Sequence, residues 1–148
     1  MKIDDAIQTR FESASMRAVV NVRYTANFLA SLSNNFMSKY DLTMPQFNIL
    51  RILRGAGDVM AVNTIKERMV EKSPNTTRLM DKLIDKGFIS RERCENDRRV
   101  VYVKITNKGL ELLAKLDAAM KKTDLFPKTL TDEEAQQLSD LLDKLRGE

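Results

Sequence analysis

The stretch from Ser73 to Ile105 changes its apolar period partway, and no other feature narrows the possible folds as much. Leu79, Met80, Leu83 and Ile84 fall at helical spacing and form one stripe. Ser73 is placed to cap that helix and Pro74 suits its first position. Gly87 suits the left-handed residue that follows a last helical turn. From Phe88 the pattern is that of strands. Phe88–Arg91 is followed by the polar run Glu92–Arg99, and then by the β-branched and aromatic Val100–Ile105. The Asn and Asp in the polar run favour a turn, so the segment predicts a β-hairpin. Just upstream, Ile65 and Met69 face inward on a short helix after the segment Val59–Val62. Two short helices joined by a tight turn make a helix-turn-helix, and the hairpin that follows at once makes it a winged helix.

The flanks read as helix. Ile3, Ile7, Phe11, Ala14, Ala18 and Val22 recur every three or four residues, and a second stripe follows at Phe28 or Leu29, Leu32, Phe36 and Tyr40. The stretch holds no proline or glycine, so it is one long helix or two with a bend. Its apolar surface exceeds what one small domain can cover, which points to a partner chain. Thr43-Met44-Pro45-Gln46 has the composition of a capping box with proline in the first turn. Ile49 joins Phe47, Leu50 and Leu53 on the apolar face of that helix, and Gly55 and Gly57 end it. Thr106 caps a further helix carrying Leu110, Leu113, Leu116 and Met120. Phe126-Pro127 breaks the chain, and Thr131–Glu134 is a full capping box for a last helix with Leu138, Leu141, Leu142 and Leu145. The fold class is thus mainly α, of α+β type. Residues 1–40 and 107–148 are expected to be helical flanks around a winged helix at 41–106.

Composition excludes several function classes. The 148 residues contain no histidine and one cysteine, Cys94. Zinc sites of the Cys/His type, Ser-His-Asp and Cys-His nucleophile systems and an internal disulfide framework are therefore ruled out. The glycines are scattered singly, with no phosphate-cradling loop. The chain is expected not to be an enzyme and to need no metal or cofactor. No apolar run approaches the roughly 18 residues of a membrane helix, and Met1–Asp5 carries acids where a targeting peptide would not, so a cytoplasmic protein is expected. Charge is uneven. Residues 61–104 hold 11 basic and 7 acidic side chains, whereas residues 105–148 hold 7 and 9. A basic middle suits a polyanion partner.

Three pieces of the chain carry a family resemblance. Leu42-Thr43 leads into Gln46-Phe47 and Leu50. Thr77-Arg78-Leu79-Met80-Asp81-Lys82-Leu83 is followed by Lys86-Gly87-Phe88-Ile89. Asp97-Arg98-Arg99 precedes the second strand, Ile105-Thr106 and Lys108-Gly109. Together they resemble the MarR family of bacterial transcription regulators, and the outer helices fit that family's arrangement, in which both chain ends build the dimer. The resemblance implies a homodimer that binds a pseudo-palindromic operator in double-stranded DNA, as a repressor released by a small aromatic or anionic effector. The alternative is a winged-helix protein-interaction module that does not read DNA; the basic wing speaks against it.

Recognition by such a fold needs short polar and basic side chains near the N-terminus of the second helix. With the apolar stripe turned inward, Pro74, Asn75, Thr77, Arg78 and Lys82 are left outward, and Ser73 frees amides for a phosphate. Asn75 suits adenine and Arg78 guanine. By resemblance Arg99 enters the minor groove and Asp97 fixes the wing through an ion pair, while Arg98 takes phosphates. Arg91 and Arg93 alternate with Glu92 and so share a face, expected to lie toward the DNA backbone. Ile3, Ile7, Phe11, Leu138, Leu141, Leu142 and Leu145 are the expected dimerisation residues. Phe36, Met37, Tyr40, Met44 and Phe47 are the candidates for an effector pocket between the dimerisation helices and the winged helix. The chain departs from the family in Lys66, where a small residue is usual, and in Ala61, where a capping Ser or Thr is usual; Asn63 is expected to cap instead and shorten that helix. Pro74 stands where a polar contact residue is common, and Cys94 and Glu95 replace an acid and a proline. Relatives sense oxidants through a cysteine of the first helix; Cys94 lies in the wing, between Glu92 and Glu95, and reads as an incidental loop residue.

Overall fold

The computed structural model describes residues 1–72 and 74–148. The N-terminal stripe does not form a continuous helix. A single turn, α1 (Ile3–Ala6), is followed by a break, and α2 (Ala14–Ser38) begins afresh with Ser13 accepting from the Met16 amide at 3.1 Å. Gln8 at φ 52° turns the chain back in between. The reason is the Asp4–Arg17 pair, closed at 2.8 Å. Thirteen residues of unbroken helix would hold these groups about 20 Å apart. The Arg17 hydrogen bond holds the Asp4 carboxyl below its usual range. The staple therefore persists as pH falls to ordinary carboxylate values and is lost only below them.

Helix α3 (Met44–Ala56) starts where the sequence predicts. Thr43 accepts from the Gln46 amide at 3.3 Å, and the Gln46 side chain accepts from the Thr43 amide at 3.1 Å. Gly57, at φ 70°, ends it, whereas Gly55 lies inside the helix. Phe47, Ile49, Leu50 and Leu53 are buried and make α3 the centre of the core. Around it pack α5 (Thr76–Asp85), α6 (Asn107–Lys122) and the strand β3 (Val101–Ile105). Leu113 and Leu116 of α6 are buried; Leu110 lies off that stripe and is exposed. Ion pairing adds Arg54 on α3 to Asp117 on α6 at 2.6 Å. Phe36 and Met37, at the end of α2, belong to this core, and Tyr40 packs on Phe36 with ring centroids 5.6 Å apart.

The wing is larger than a hairpin by one short strand. β1 (Met60–Ala61) pairs with β3, which also pairs with β2 (Ile89–Arg93), in the order β1-β3-β2, all antiparallel. Ile89 stands opposite Ile105, Arg91 opposite Val103, and Arg93 opposite Val101. Helix α4 (Val62–Arg68) follows β1 directly. Its N-cap position is Ala61, with no side-chain cap, and Asn63 lies inside the first turn; the expected shift of the cap to Asn63 does not occur because the β1–β3 pairing already positions the chain at Ala61. Ile65 and Met69 are buried as expected. Helix α7 (Asp132–Arg146) has the capping box at Thr131 and Glu134 but no buried residue. Among the described residues no helix is long and apolar enough to cross a membrane.

Candidate nucleic-acid interface

Helix α5 is held by Met80 and Leu83, which are buried, and by Thr76, buried at its first turn. It begins at Thr76 rather than Pro74. Asn75 occupies the N-cap position at φ −91° and ψ 8°, so Pro74 and Asn75 belong to the turn that leads in. The capping reading of Ser73 lies outside the described residues. Thr77, Arg78 and Lys82 are exposed along the helix, as are Pro74 and Asn75 before it. Gln46, buried under α3's first turn, donates to the Leu79 carbonyl at 3.5 Å and ties α5 to the core. Gln46 is legible in sequence only as the capping-box partner of Thr43, and neither its reach to Leu79 nor the burial of Thr76 has a local signal.

At the wing, Asp97 Oδ1 accepts from the Arg99 amide at 3.0 Å and from Arg99 Nε at 3.3 Å. The pair is local and leaves the Arg99 side chain 92% exposed. Arg98 and Arg93 are exposed too, and Cys94 is half-buried beside them with a free thiol.

Arg91 behaves differently. Cross-strand alternation puts it, with Arg93, on the face that carries Ile89 and Val103, which is the face α5 packs against. Its guanidinium donates to Asp81 of α5 at 2.8 Å. The two arginines thus share a face, but that face looks at the helix, and Arg91 bridges wing and helix. Asp81 carries no local signal for this, because its partner comes from another element. A cleft of about 280 Å³ opens there, lined by Thr77, Met80 and Asp81 of α5, Asn63 of α4, and Arg91, Arg99 and Val101 of the wing. It brings Arg99 of the wing and Thr77 of α5 to one side of the molecule.

The residues named for an effector pocket are only partly brought together. Phe36 and Met37 are core, with Tyr40 packed on them. Met44 lines a cavity of about 400 Å³ with Ala26, Leu29, Ala30, Ser33 and Phe126, and Met44 and Phe47 together line a smaller one of about 120 Å³ with Arg51 and Val70. The dimerisation set divides as well. Ile3 is buried within its own chain, and Ile7 and Phe11 are half-buried in the break between α1 and α2. Leu138, Leu141 and Leu145 of α7 are 47%, 64% and 51% exposed. With Leu142 they face Val22, Ala26 and Leu29 of α2 across an open groove of about 640 Å³.

Residues 42–101 match the MarR family model. The multiple antibiotic resistance protein MarR of Salmonella typhimurium is 35% identical over 117 residues, which are 77% of this chain and 80% of that protein. An uncharacterised HTH-type transcriptional regulator of Bacillus subtilis, YfiV, is 38% identical over 74 residues; the match spans 50% of this chain and 46% of that protein, under half its length. Among solved structures, a mutant MarR from E. coli complexed with operator DNA superposes with a TM-score of 0.75 at 28% identity, over 84% of this chain and 89% of that one. A winged helix with an exposed basic row on its second helix, an Asp-Arg wing and this likeness along most of its length make the chain a member of the MarR family of DNA-binding transcription regulators.

Proposed function

We propose that the chain is a homodimeric repressor that binds a pseudo-palindromic operator, each α5 entering a major groove and each wing the adjacent minor groove. The observation that carries this reading is the cleft that joins Thr77 of α5 to Arg99 of the wing, which sets one residue of the outward row and an exposed arginine at one surface. Asn75, Thr77, Arg78 and Lys82 read bases or phosphates in the major groove, where Asn suits adenine and Arg suits guanine. Pro74 shapes the turn above them. Arg99, pre-oriented by Asp97, enters the minor groove, whose potential is most negative over A·T-rich DNA. Arg98 and Arg93 take phosphates. The E. coli relative complexed with operator DNA supports the DNA-binding part of this reading. A small-molecule effector has its place in the cavity lined by Met44, Leu29 and Phe126, since Phe36 and Met37 are consumed by the core.

Two substitutions test the electrostatics in opposite directions. Arg99→Ala is expected to weaken duplex binding and to flatten its dependence on log salt by about one unit. Unchanged binding would remove Arg99 from the interface. Asp81→Asn takes an acid from the DNA-facing side and releases Arg91 from its 2.8 Å pair. It is expected to tighten binding to non-operator duplex at low salt and to steepen the salt slope by up to about one unit. Fluorescence anisotropy titrations at several salt concentrations read both, and a weaker, flatter response for Asp81→Asn would show the ion pair to be needed for the bound wing.

A further inference from the structure

We infer that Lys86, with Asp41 and Lys108, is a positioning residue that sets the tilt of the recognition helix relative to the helices leading to the chain ends, and thereby the operator spacing the dimer accepts. The inference rests on the dimeric DNA-binding reading above.

The geometry lies at the C-terminal end of α5. Lys86 is the C-cap residue, and Gly87 beyond it has φ 79°. The Lys86 side chain leaves the helix and reaches Asp41, in the link between α2 and α3. Its Nζ donates to the Asp41 carbonyl at 2.6 Å and lies 3.1 Å from the Asp41 carboxylate. Asp41 has φ 53°, a left-handed conformation that a residue with a side chain adopts only at some cost. From the other side, Lys108 in the first turn of α6 donates to the Lys86 carbonyl at 2.8 Å and sits 5.1 Å from the centre of the Phe88 ring. Thr106, the cap of α6, donates to the Gly87 carbonyl at 2.6 Å. The carbonyls of Lys86 and Gly87 are thus taken by the start of α6, and the Lys86 ammonium by the foot of α2. At the base-reading end Asn75, Thr77 and Arg78 are exposed, while Thr76 of the same turn is buried.

A brace at one end of a short helix governs the position of the other. Ten residues span about 15 Å, so a tilt of about 10° at the brace moves the far end by about 2.6 Å. That is close to the base-pair step of about 3.4 Å. Half-sites must lie about one helical turn apart for both helices to dock. An ordinary surface ion pair would affect stability by little and spacing not at all.

The test uses the full chain. Wild-type protein first selects its preferred inverted repeat from a pool of random-sequence duplexes. That duplex is then rebuilt with the spacer shortened or lengthened by one and two base pairs, and as a single half-site. Wild type is expected to lose affinity steeply away from its optimum. Lys86→Met is expected to keep single half-site affinity within about twofold, yet to discriminate between the optimal spacer and its nearest neighbours about fivefold less, the scale of coupling that packed networks carry. Lys86→Arg should restore the wild-type profile. Lys108→Met, which removes the brace from the other side, should broaden the profile too and serves if Lys86→Met does not fold. A spacer profile identical to wild type in the folded variants, or an equal loss at every spacer, overturns the inference while leaving the DNA-binding reading intact. Failure of wild type to select any repeat removes that reading first, and this inference with it.

Discussion

Replacing Leu141 and Leu145 together with glutamate is expected to leave the winged helix folded and to turn the protein into a monomer in sedimentation. Neither side chain supports the core of its own chain: α7 has no buried residue, and the two leucines are 64% and 51% exposed. They are not scattered surface residues. With Leu138 and Leu142 they border one groove whose other wall is Val22, Ala26 and Leu29 of α2. Contiguous apolar surface of this kind marks an interface. Covering such leucines contributes about 1.5–3 kcal/mol each, so two buried charges in their place cost more than a dimer contact of this size can absorb. Operator affinity should fall with the dimer. Joining two DNA-reading heads raises affinity about 10²- to 10⁴-fold over one head, and the monomer forfeits that factor. Unchanged circular dichroism with a halved sedimenting mass and weak, half-site-like binding is the expected combination. A variant that sediments as a dimer would place the interface elsewhere, and the helices at residues 107–148 would then lose their assigned role.

Gly109→Ala is expected to destabilise the chain more than any other small substitution outside the apolar core. Gly109 is buried in the first turn of α6, where Thr106 accepts from its amide at 3.2 Å. A Cβ built there would lie 2.3 Å from the Phe88 carbonyl oxygen and 2.7 Å from Ile105 Cγ1. The first of these is backbone and cannot swing away, because the Phe88 carbonyl also accepts the Thr106 amide at 3.0 Å. Either α6 moves off the wing or that hydrogen bond is lost. Overpacking of this kind costs about 1–3 kcal/mol, which in a domain of this size lowers the melting temperature by about 2–4 °C per kcal/mol. Helix propensity works the other way, since alanine is the better helix former by about 1 kcal/mol. A net destabilisation in thermal unfolding would mean that the close approach dominates; a gain in stability would mean that α6 and the wing are not locked at this point. The other glycines carry no such contact: nothing lies within 4 Å of a Cβ at Gly55 or Gly57.

What the sequence discloses about this chain follows from the range over which each feature is determined. Thr43, Thr106 and Thr131 are legible as caps because the partner amide lies three residues away, and all three form. Gly87 is legible for the same reason, and the strands from their β-branched run. The break between α1 and α2 is not legible. Ile7 and Phe11 keep the helical spacing across it, and only the closure of Asp4 on Arg17 requires the chain to turn back. The start of α5 is displaced for a comparable reason: Pro74 suits a first helical turn locally, but burial of Thr76 fixes where the helix enters the core. At the interface, the outward row Thr77, Arg78 and Lys82 follows from the apolar stripe, whereas the ion pair of Asp97 is implied by the family resemblance and closes on Arg99. The Arg91–Asp81 bridge and the Lys86–Asp41 brace join groups 10 and 45 residues apart. No spacing rule reaches them, because they depend on how the wing and the foot of α2 come to lie against α5. The apolar residues Phe36 and Met37 pose a related problem, since a helical stripe looks the same whether it lines a cavity or fills a core.

Specific operator binding by a dimer is tested most directly by incubating the purified protein with fragmented genomic DNA of its source organism and sequencing the fragments retained at two salt concentrations. Phosphate contacts alone weaken steeply with salt, whereas base contacts distinguish one site from the rest. The expected result is a small set of fragments that survive the higher salt and share an inverted repeat whose half-sites lie about one helical turn apart. Uniform recovery that vanishes at the higher salt, or a retained motif without two-fold symmetry, would contradict it.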